Sequence, residues 1–425
     1  MKKNLEEFFK KKNFFMFTPR LYSFGGSFES LSESLKISTF KNKKIILCIP
    51  FFNLHKKHKK KKIFCLSIVT KIFFKISIIE KLLSLVFTIY LNFSLILKFM
   101  KIRGLISIII GKNQTDLFLP LYFGYNGLDN NNYFKCDSFL WRDILSKKVN
   151  YLKKSFNDSK VNKKKVAALY VKDSNYSKIS EISSSAVSNI ENYRKSIEYI
   201  ISKNFDVYRL GDSLSNNFIF ENDSFFDYTK SKKNILKIQY DTYPKADFFF
   251  GSNTPGINIA TFFDKKRLIV NTPVEYSSNT QSFSKENFSI FKKAFSLKKK
   301  KILSLEEILS DQNLFIDEIS DLNSSKDYIL IENSPEEILD ACKAFINFNF
   351  YNIKEDENLL NQYLEIRSKN IKKLFRSSSE LMNIPSINKY EYGEVNIPFS
   401  FLQKYLFNSK ELDEESKKFS KFSKI

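Results

Sequence analysis

The chain has 425 residues, 43% of them hydrophobic and 16% aromatic, so it is long enough for two or three folded domains and too apolar to be disordered. Its formal charge of +23 suits anionic partners, but codons of an AT-rich genome also enrich Phe, Ile, Lys and Asn, so charge alone selects no partner. Four scattered cysteines and only two histidines, His55 and His58 in the run HKKHKKKK, argue against a disulfide framework, a zinc site and a histidine-based triad.

The N-terminal segment MKKNLEEFFKKKNFF lacks the long apolar core and small-residue cleavage site of a secretory signal. The most apolar run, 82–97, is shorter than the ~20 residues that cross a bilayer, and contains Ser84, Thr88, Asn92 and Ser94. Lysines flank it, and each is worth ~1 kcal/mol near an anionic lipid surface. We expect a buried or interface-lying helix in a cytoplasmic protein that attaches peripherally to the inner membrane face; insertion of 82–97 is the alternative.

Residues 18–52 predict a strand at 20–24, a turn at Gly25–Gly26, a helix at 27–35 and a strand at 45–50. The lysine run 56–62 predicts a surface loop, and 63–112 predicts helices with a strand near 106–110. The more polar segment 113–160 suggests an interdomain region. We therefore expect an N-terminal α/β domain over 1–155.

From residue 161 the pattern becomes regular. Apolar runs predict strands at 166–171, 205–211, 246–251, 267–271 and 327–332. Helices are predicted at 189–204, where apolar residues recur every three or four positions, after Gly256, and at 334–348, with Ser334 as N-cap and Pro335 at the first turn. The alternation predicts an α/β domain with a mainly parallel sheet over 156–380, followed by a helical tail over 381–425.

Two of only ten glycines, Gly251 and Gly256, frame the polar run SNTP after the strand FFF. In open α/β sheets ligands bind outside the carboxyl ends of the strands, and a helix N-terminus suits a phosphate. The loop therefore predicts a phosphate-binding turn. An ordinary strand-to-helix turn that binds nothing is the alternative, because the G-x-G-x-x-G spacing is missing.

Several segments in order resemble a family of bacterial glycosyltransferases of surface polysaccharide synthesis. They are YVKDSNY (170–176), ENYRKSIEYIISKNFDVYRLGD (191–212), DYTKS (227–231), FFFGSNTPG (248–256), SPEEI (334–338) and PFSFLQKYLF (398–407). The resemblance covers roughly residues 165–407. It implies a GT-B-like enzyme with two Rossmann-like domains, the C-terminal one binding a sugar nucleotide.

The chain departs from the pattern of the family that it resembles at several positions. The family's His-x-Arg-Asp has Tyr170 and Lys172 in place of His and Arg, which exchanges a bidentate guanidinium for a point charge. Its Gly-x-Ser-Ser-Gly is one residue longer here, and an Arg-Asn pair and two aspartates are replaced. The matching positions that remain are Asp173, Tyr176, Tyr193, Arg209, Gly211, Asp227, Tyr228 and Ser231.

The resemblance and the strand ends together give the expected site. Cations and helix N-termini would stabilise a departing diphosphate without a metal or other cofactor, since no D-x-D pair is present. Arg209 could instead form a structural salt bridge, and Asp173 and Asp212 could order loops or cap helices. We expect donor binding by Lys172, Asp173, Tyr176, Arg209, Gly211, Asp212, Ser252, Asn253, Thr254 and Gly256.

An inverting transferase also needs a base for the acceptor hydroxyl. Glu29, three residues after Gly26, is the candidate catalytic residue by its position, and an ordinary acid in the first turn of a helix is the alternative that its placement favours.

The leading hypothesis is therefore a hexosyl- or fucosyltransferase-like enzyme that moves a sugar from a nucleotide-sugar donor to a glycan or lipid-linked acceptor. The first alternative is a catalytically degenerate transferase-fold protein that binds a nucleotide, a glycan or a partner. The second is a nucleic-acid binder, supported by charge and aromatic content, but no RRM, KH or zinc-finger pattern accompanies them.

Overall fold

A computed structural model describes the strands 14–17 and 44–47, single helical positions within 28–35, 78–89 and 143–145, and most of 164–422. Gaps in that last part lie at 174–186 (except Asn175), 212–214, 232–234, 274–285, 312–326 (except Leu314), 378–395 and 408. The chain divides into two compact units, Met1–Val161 and Asn162–Ile425. The predicted boundaries near 155 and 380 fall outside the described residues.

The first unit contains a parallel strand pair. Strand β1 (Phe14–Phe17) pairs with β2 (Lys44–Leu47), with Phe14 opposite Lys44. Between them the described positions Phe28, Leu31 and Leu35 are helical and buried, at the spacing of one apolar helix face. A parallel pair needs such a crossover. The sequence did not predict β1; the strand predicted at 20–24 and the turn at Gly25–Gly26 lie outside the described residues.

The second unit is built on a six-stranded parallel sheet. Its strands are β3 (Lys165–Tyr170), β4 (Phe205–Leu210), β5 (Phe225–Asp227), β6 (Phe248–Gly251), β7 (Lys266–Thr272) and β8 (Phe288–Phe291). They lie in the order β5-β4-β3-β6-β7-β8, with every pair parallel. In chain order this is 3-2-1-4-5-6, the arrangement of Rossmann folds. The predicted α/β class with a parallel sheet is confirmed for this unit.

Helices cover both faces of this sheet. On one face lie a 3-10 turn (Ile190–Tyr193), α1 (Arg194–Ser202) and, later in the chain, a long helix at Pro335–Tyr351. On the other lie α2 (Ile235–Thr242) and α3 (Pro255–Phe262). The apolar run of β6 is unbroken because helices cover both faces of the sheet at this strand. Phe248 and Phe250 pack toward the first face and Phe249 stacks on Tyr243 of the second, so every position is buried.

A smaller antiparallel sheet adjoins the end of the parallel one. It consists of β9 (Lys293–Ser296), β10 (Lys301–Ile302) and β11 (Tyr328–Ile331), in the order β10-β9-β11. Helix α4 (Leu305–Ser310) follows β10. The predicted strand 327–332 exists as β11, but the expectation that the parallel sheet includes it was wrong. An apolar run indicates a strand without identifying its partner, and β9 is the partner here.

The long helix α5 (Pro335–Tyr351) begins as the sequence predicted. Ser334 accepts the N–H of Glu337, whose carboxylate accepts the N–H of Ser334, and Pro335 occupies the first turn. This reciprocal capping box satisfies two N–H groups that a helix start otherwise leaves unpaired. The helix ends at Asn352, which has a left-handed backbone with φ 56°.

The C-terminal helices pack into the same core as the sheet. They are α6 (Asn358–Ser377), α7 (Phe399–Leu402), a π-helical turn (Gln403–Phe407) and α8 (Ser409–Phe422). Buried side chains of this segment join the hydrophobic cluster that contains β3, β6 and α5: Tyr363, Phe401, Leu402, Tyr405 and Leu412.

A buried ionic cluster attaches the same segment. Lys293 of β9 pairs with Glu337 of α5 and with Glu415 of α8, and Lys404 also reaches both carboxylates. Tyr405 donates a hydrogen bond to Glu337, and the positive partners hold the pKa of that carboxyl below its usual value even though burial opposes them. In the described part of the chain, no helix is both long and apolar enough to cross a bilayer.

Candidate functional site

The carboxyl edge of the parallel sheet, where β3, β4, β6 and β7 end at Tyr170, Leu210, Gly251 and Thr272, brings together most of the predicted site. After β3 the chain reaches α1 on one face, whereas after β6 it enters α3 on the other. Two adjacent strands whose connections diverge leave a crevice between them. The reversal point of the strand order therefore lies between Tyr170 and Gly251.

Hydrogen bonds fix the two loops at this point. The Lys172 N–H donates to Ser252 Oγ over 2.9 Å, and the Ser252 N–H donates to the Tyr170 carbonyl over 3.2 Å. On the other side, the Ser188 N–H donates to the Lys172 carbonyl over 2.8 Å. Ser252 is fully buried. Its predicted place in the loop is confirmed, but its hydroxyl already holds the loop after β3.

Two desolvated lysines lie at the edge. Lys172 is half-buried, and burial lowers its pKa to about 8; within the described residues its ammonium has neither an ion pair nor a hydrogen bond. Lys292, directly after β8, is buried and donates to the Val187 carbonyl over 2.6 Å. Burial lowers its pKa to about 8, partly offset by Glu332. A desolvated ammonium without a counter-ion favours an anionic ligand.

Thr254 is the N-cap of α3, with an extended backbone, and Pro255 follows at the first helical position. A threonine at this position usually caps the helix with its hydroxyl. Here the side chain makes no cap bond, is 5% exposed, and its Oγ1 has no hydrogen-bond partner in the part of the chain that the structure describes. The hydroxyl therefore retains donor capacity in the loop that contains Ser252, whereas the Ile257 N–H in the first turn of α3 already donates to the Thr254 carbonyl over 3.1 Å.

Arg209 is buried and paired with other groups of the protein, whereas binding of a ligand would need its guanidinium to be accessible at the crevice. Its side chain is 1% exposed; Nη1 donates to Asp227 over 2.8 Å, and Nη2 donates to Asp173 over 3.3 Å and to the Asn216 carbonyl over 2.8 Å. Phe218 lies against the guanidinium, 5.5 Å from ring centre to Cζ. These contacts are those of a structural salt bridge, which the sequence analysis gave as the alternative role of Arg209.

Asp173 is fully buried at the other end of that pair. Its Oδ2 accepts from Arg209 and from the Asn216 N–H over 2.8 Å, while Oδ1 has no hydrogen-bond partner among the described residues. Burial raises the pKa of this carboxyl to about 6, although the Asn216 N–H and Arg209 lower it; Asp227 adds to the rise. Asp173 therefore orders the loop at Asn216, one of the roles that the sequence allowed.

This pKa predicts a pH dependence of stability. Since the folded pKa lies above its ordinary value, the native protein binds the proton more tightly than the unfolded chain. The stability that Asp173 confers is complete below its ordinary pKa and is lost as the pH rises through about 6. We expect the stability of wild type relative to Asp173→Asn to fall by about 2 kcal/mol between acidic and neutral pH. Urea titrations of both proteins measure it; a parallel pH response would contradict the prediction.

Each of the three described glycines of this edge has a packing role. A Cβ at Gly251 would lie 2.0 Å from the Tyr170 carbonyl oxygen, and one at Gly256 would lie 2.2 Å from the Tyr243 hydroxyl. A Cβ at Gly211 would lie 2.4 Å from Ser215 Oγ. Gly251 lets β3 and β6 pair closely, and Gly256 lets α3 lie on the second face. The donor-binding role of Gly256 stays a prediction, with a packing role now evident.

The remaining predicted residues divide into two groups. Gly211 ends β4 at the edge and accepts the side-chain N–H of Gln239 over 2.7 Å, and Asn253 lies half-buried in the β6–α3 loop. The candidate base and two donor residues lie outside the described residues: Glu29, Tyr176 and Asp212.

Sequence reasoning missed Lys292 and a buried amide pair. Asn271 at the end of β7 and Asn333 after β11 exchange backbone-to-side-chain hydrogen bonds of 2.8 and 2.6 Å. Asn271 Nδ2 also donates to the Tyr193 hydroxyl over 3.3 Å. Each residue is polar and lies at or just after the carboxyl end of a strand, so a search of the strand ends could have found them.

Comparisons of the chain with protein-family models, with curated proteins and with solved structures found no match. Among the described residues, no group of three or more His, Cys, Asp or Glu side chains is arranged to hold a metal ion.

Proposed function

We propose that the second unit binds the diphosphate of a nucleotide sugar at the carboxyl edge, and that the protein is a metal-independent glycosyltransferase. The observation that carries the proposal is the half-buried Lys172 ammonium, which has no counter-ion among the described residues and lies where the strand order reverses. Thr254 Oγ1, in the loop between β6 and α3, adds a donor that has no partner among the described residues. A diphosphate would supply the missing charge and accept these donors.

The resemblance supports the rest of the proposal. The acceptor would be a glycan or a lipid-linked glycan in surface polysaccharide synthesis, the first unit would be a second Rossmann-like domain of a GT-B arrangement, and the protein would attach peripherally to the cytoplasmic membrane face. In the transfer, the bond between the anomeric carbon and the diphosphate breaks, the acceptor oxygen bonds to that carbon, and a base takes the hydroxyl proton. Lys172 would stabilise the leaving charge.

The second candidate is a degenerate transferase-fold protein that binds without turnover. The favouring observation is Arg209, which matches the resembling family but is buried between Asp173 and Asp227. The positive charge of Arg209 is therefore paired with carboxylates inside the second unit. Binding is common to both candidates, and turnover separates them.

The binding test uses one substitution and a matched control. We expect Lys172→Gln to weaken nucleotide-sugar binding by about 10- to 100-fold, because a charged hydrogen bond contributes ~1.5–3 kcal/mol. Lys172→Arg should retain part of the affinity. The control is Lys343→Gln on α5, whose lysine is exposed and pairs with Asp340. Thermal shift against UDP-, GDP-, CMP- and dTDP-sugars finds the donor, and calorimetry then measures affinity.

Two results would decide against parts of the proposal. No binding to any of these donors would remove the nucleotide-sugar site, and equal affinity of wild type and Lys172→Gln would place the ligand away from the crevice. Release of the donor's nucleotide (UDP, GDP, dTDP or CMP) in the presence of polyprenyl-linked glycans would support the enzyme, and binding without release would support the degenerate candidate.

A further inference from the structure

The described helical positions of 78–89 in the first unit bury polar residues and expose aliphatic ones. The small polar residues Ser84 and Thr88, one turn apart, are buried at 9% and 7% exposure. The large aliphatic residues are exposed by more than half: Ile78 75%, Leu82 60%, Leu85 56%, Val86 59% and Ile89 57%. A helix on a water-facing surface shows the opposite pattern. Membrane-embedded helices, in contrast, pack through small and hydroxyl residues and expose aliphatic ones.

The exposed residues form one continuous stripe. At about 100° per residue, positions 78, 82, 85, 86 and 89 fall within about 100° of the helix circumference. Lys81, which is also exposed, projects beside that stripe. From 78 to 89 the described helical positions extend about 18 Å along the helix axis. A stripe with its aliphatic residues on one side of the helix is suited to lying along a bilayer surface.

Charge and side-chain type favour lipid over a protein partner. Residues 71–101 contain five lysines, Lys71, Lys75, Lys81, Lys98 and Lys101, but a single acid, Glu80. The run 56–62 adds six lysines. Protein interfaces derive most of their affinity from Trp, Tyr and Arg, whereas the described exposed face is purely aliphatic. An apolar face bordered by lysines is typical of helices that lie in an anionic membrane interface.

We propose that the described aliphatic residues of 78–89 insert into the headgroup region of an anionic bilayer, with Lys81 against lipid phosphates and the net positive charge of the surrounding sequence adding attraction. The inference deepens the peripheral attachment in the proposed function by naming the element responsible, and rests on that function only for the cellular location. Vesicle binding is measured without sugar nucleotide, so failure of the transferase proposal and failure of this one give separate results.

The test is co-sedimentation of the full chain with vesicles of equal parts phosphatidylglycerol and phosphatidylcholine. We expect binding, and we expect the double variant Leu82→Gln/Ile89→Gln to lower the partition constant by about a hundredfold, since each aliphatic side chain leaves the bilayer. Lys81→Gln should lower it about fivefold. Salt at about 1 M should remove the lysine effect and leave the aliphatic one.

The matched control is Ile219→Gln/Ile353→Gln, which alters two aliphatic residues of the second unit with 77% and 56% exposure. It should bind vesicles as wild type does, and circular dichroism should show that both double variants are folded. Equal vesicle binding by Leu82→Gln/Ile89→Gln and wild type would overturn the proposal. So would a wild-type dimer on gel filtration that this variant converts to monomer without a change in vesicle binding, because a second copy would then cover the face.

Discussion

Replacing Arg209 with methionine is expected to lower the free energy of unfolding by about 3–5 kcal/mol, because it leaves a buried charge uncompensated. Asp173 would lose its cationic partner while fully buried, and Asp227, which is 25% exposed, would lose the 2.8 Å pair. The Asn216 carbonyl would lose its donor as well. Urea unfolding followed by far-UV circular dichroism measures the loss. Hydrogen exchange on peptides of the second unit locates it, since the single tryptophan, Trp141, lies in the first unit.

Arg194→Met is the matched control. Arg194 pairs with Glu191 at 2.8 Å, but both side chains are well exposed, so we expect a loss of at most about 1 kcal/mol. Asp173→Asn in the Arg209→Met background should recover part of the stability by removing the buried charge. If Arg209→Met were as stable as wild type but failed to bind nucleotide, the side chain would serve the ligand, as the sequence-based hypothesis held.

Gly251→Ala is expected to cost about 3 kcal/mol or more, which exceeds the usual range for overpacking. The new methyl group would meet the Tyr170 carbonyl oxygen at 2.0 Å, and that oxygen belongs to the backbone of the neighbouring strand. It also accepts the N–H of Ser252. Relief therefore requires β3 and β6 to separate at the carboxyl edge. Urea unfolding measures the cost, and hydrogen exchange at the ends of both strands should rise.

The other described glycines provide graded controls for this prediction. At Gly211 the methyl group would meet Ser215 Oγ, a side-chain end that can rotate, so we expect a loss of about 1 kcal/mol. At Gly256 it would meet the hydroxyl of Tyr243, whose ring is fully buried, and the cost should fall between the two. Equal losses at all three positions would show that the backbone contact at Gly251 has no special weight.

Local pattern was sufficient for most of the parallel sheet. The apolar runs that became β3, β4, β6 and β7 are short and bounded by polar or glycine residues, and the N-cap of α5 is explicit in its sequence. Once these strands are parallel, their carboxyl ends share one edge. The grouping of Lys172, Ser252 and Gly211 could therefore be predicted without any knowledge of tertiary contacts.

The features that the sequence did not predict depend on contacts between residues that are far apart in the chain. β9 contains a lysine that is buried only because Glu337 and Glu415 meet it from distant helices, so KAFS does not look like a core strand. Arg209 finds Asp173 and Asp227 at separations of 36 and 18 residues, and nothing local distinguishes this pairing from a ligand contact. The close approaches at Gly251 and Gly256 likewise depend on Tyr170 and Tyr243.

The C-terminal helices have a consequence for synthesis of the protein. Phe401, Leu402, Tyr405 and Leu412 belong to the cluster that also contains Ala167 and Leu169 of the first strand of this unit. The ribosome makes that strand more than two hundred residues before the side chains that complete its core. Until then, the apolar surface that awaits them is open to water, to other nascent chains and to chaperones. Removing the segment from 398 onward should therefore yield an aggregating product rather than a smaller folded domain.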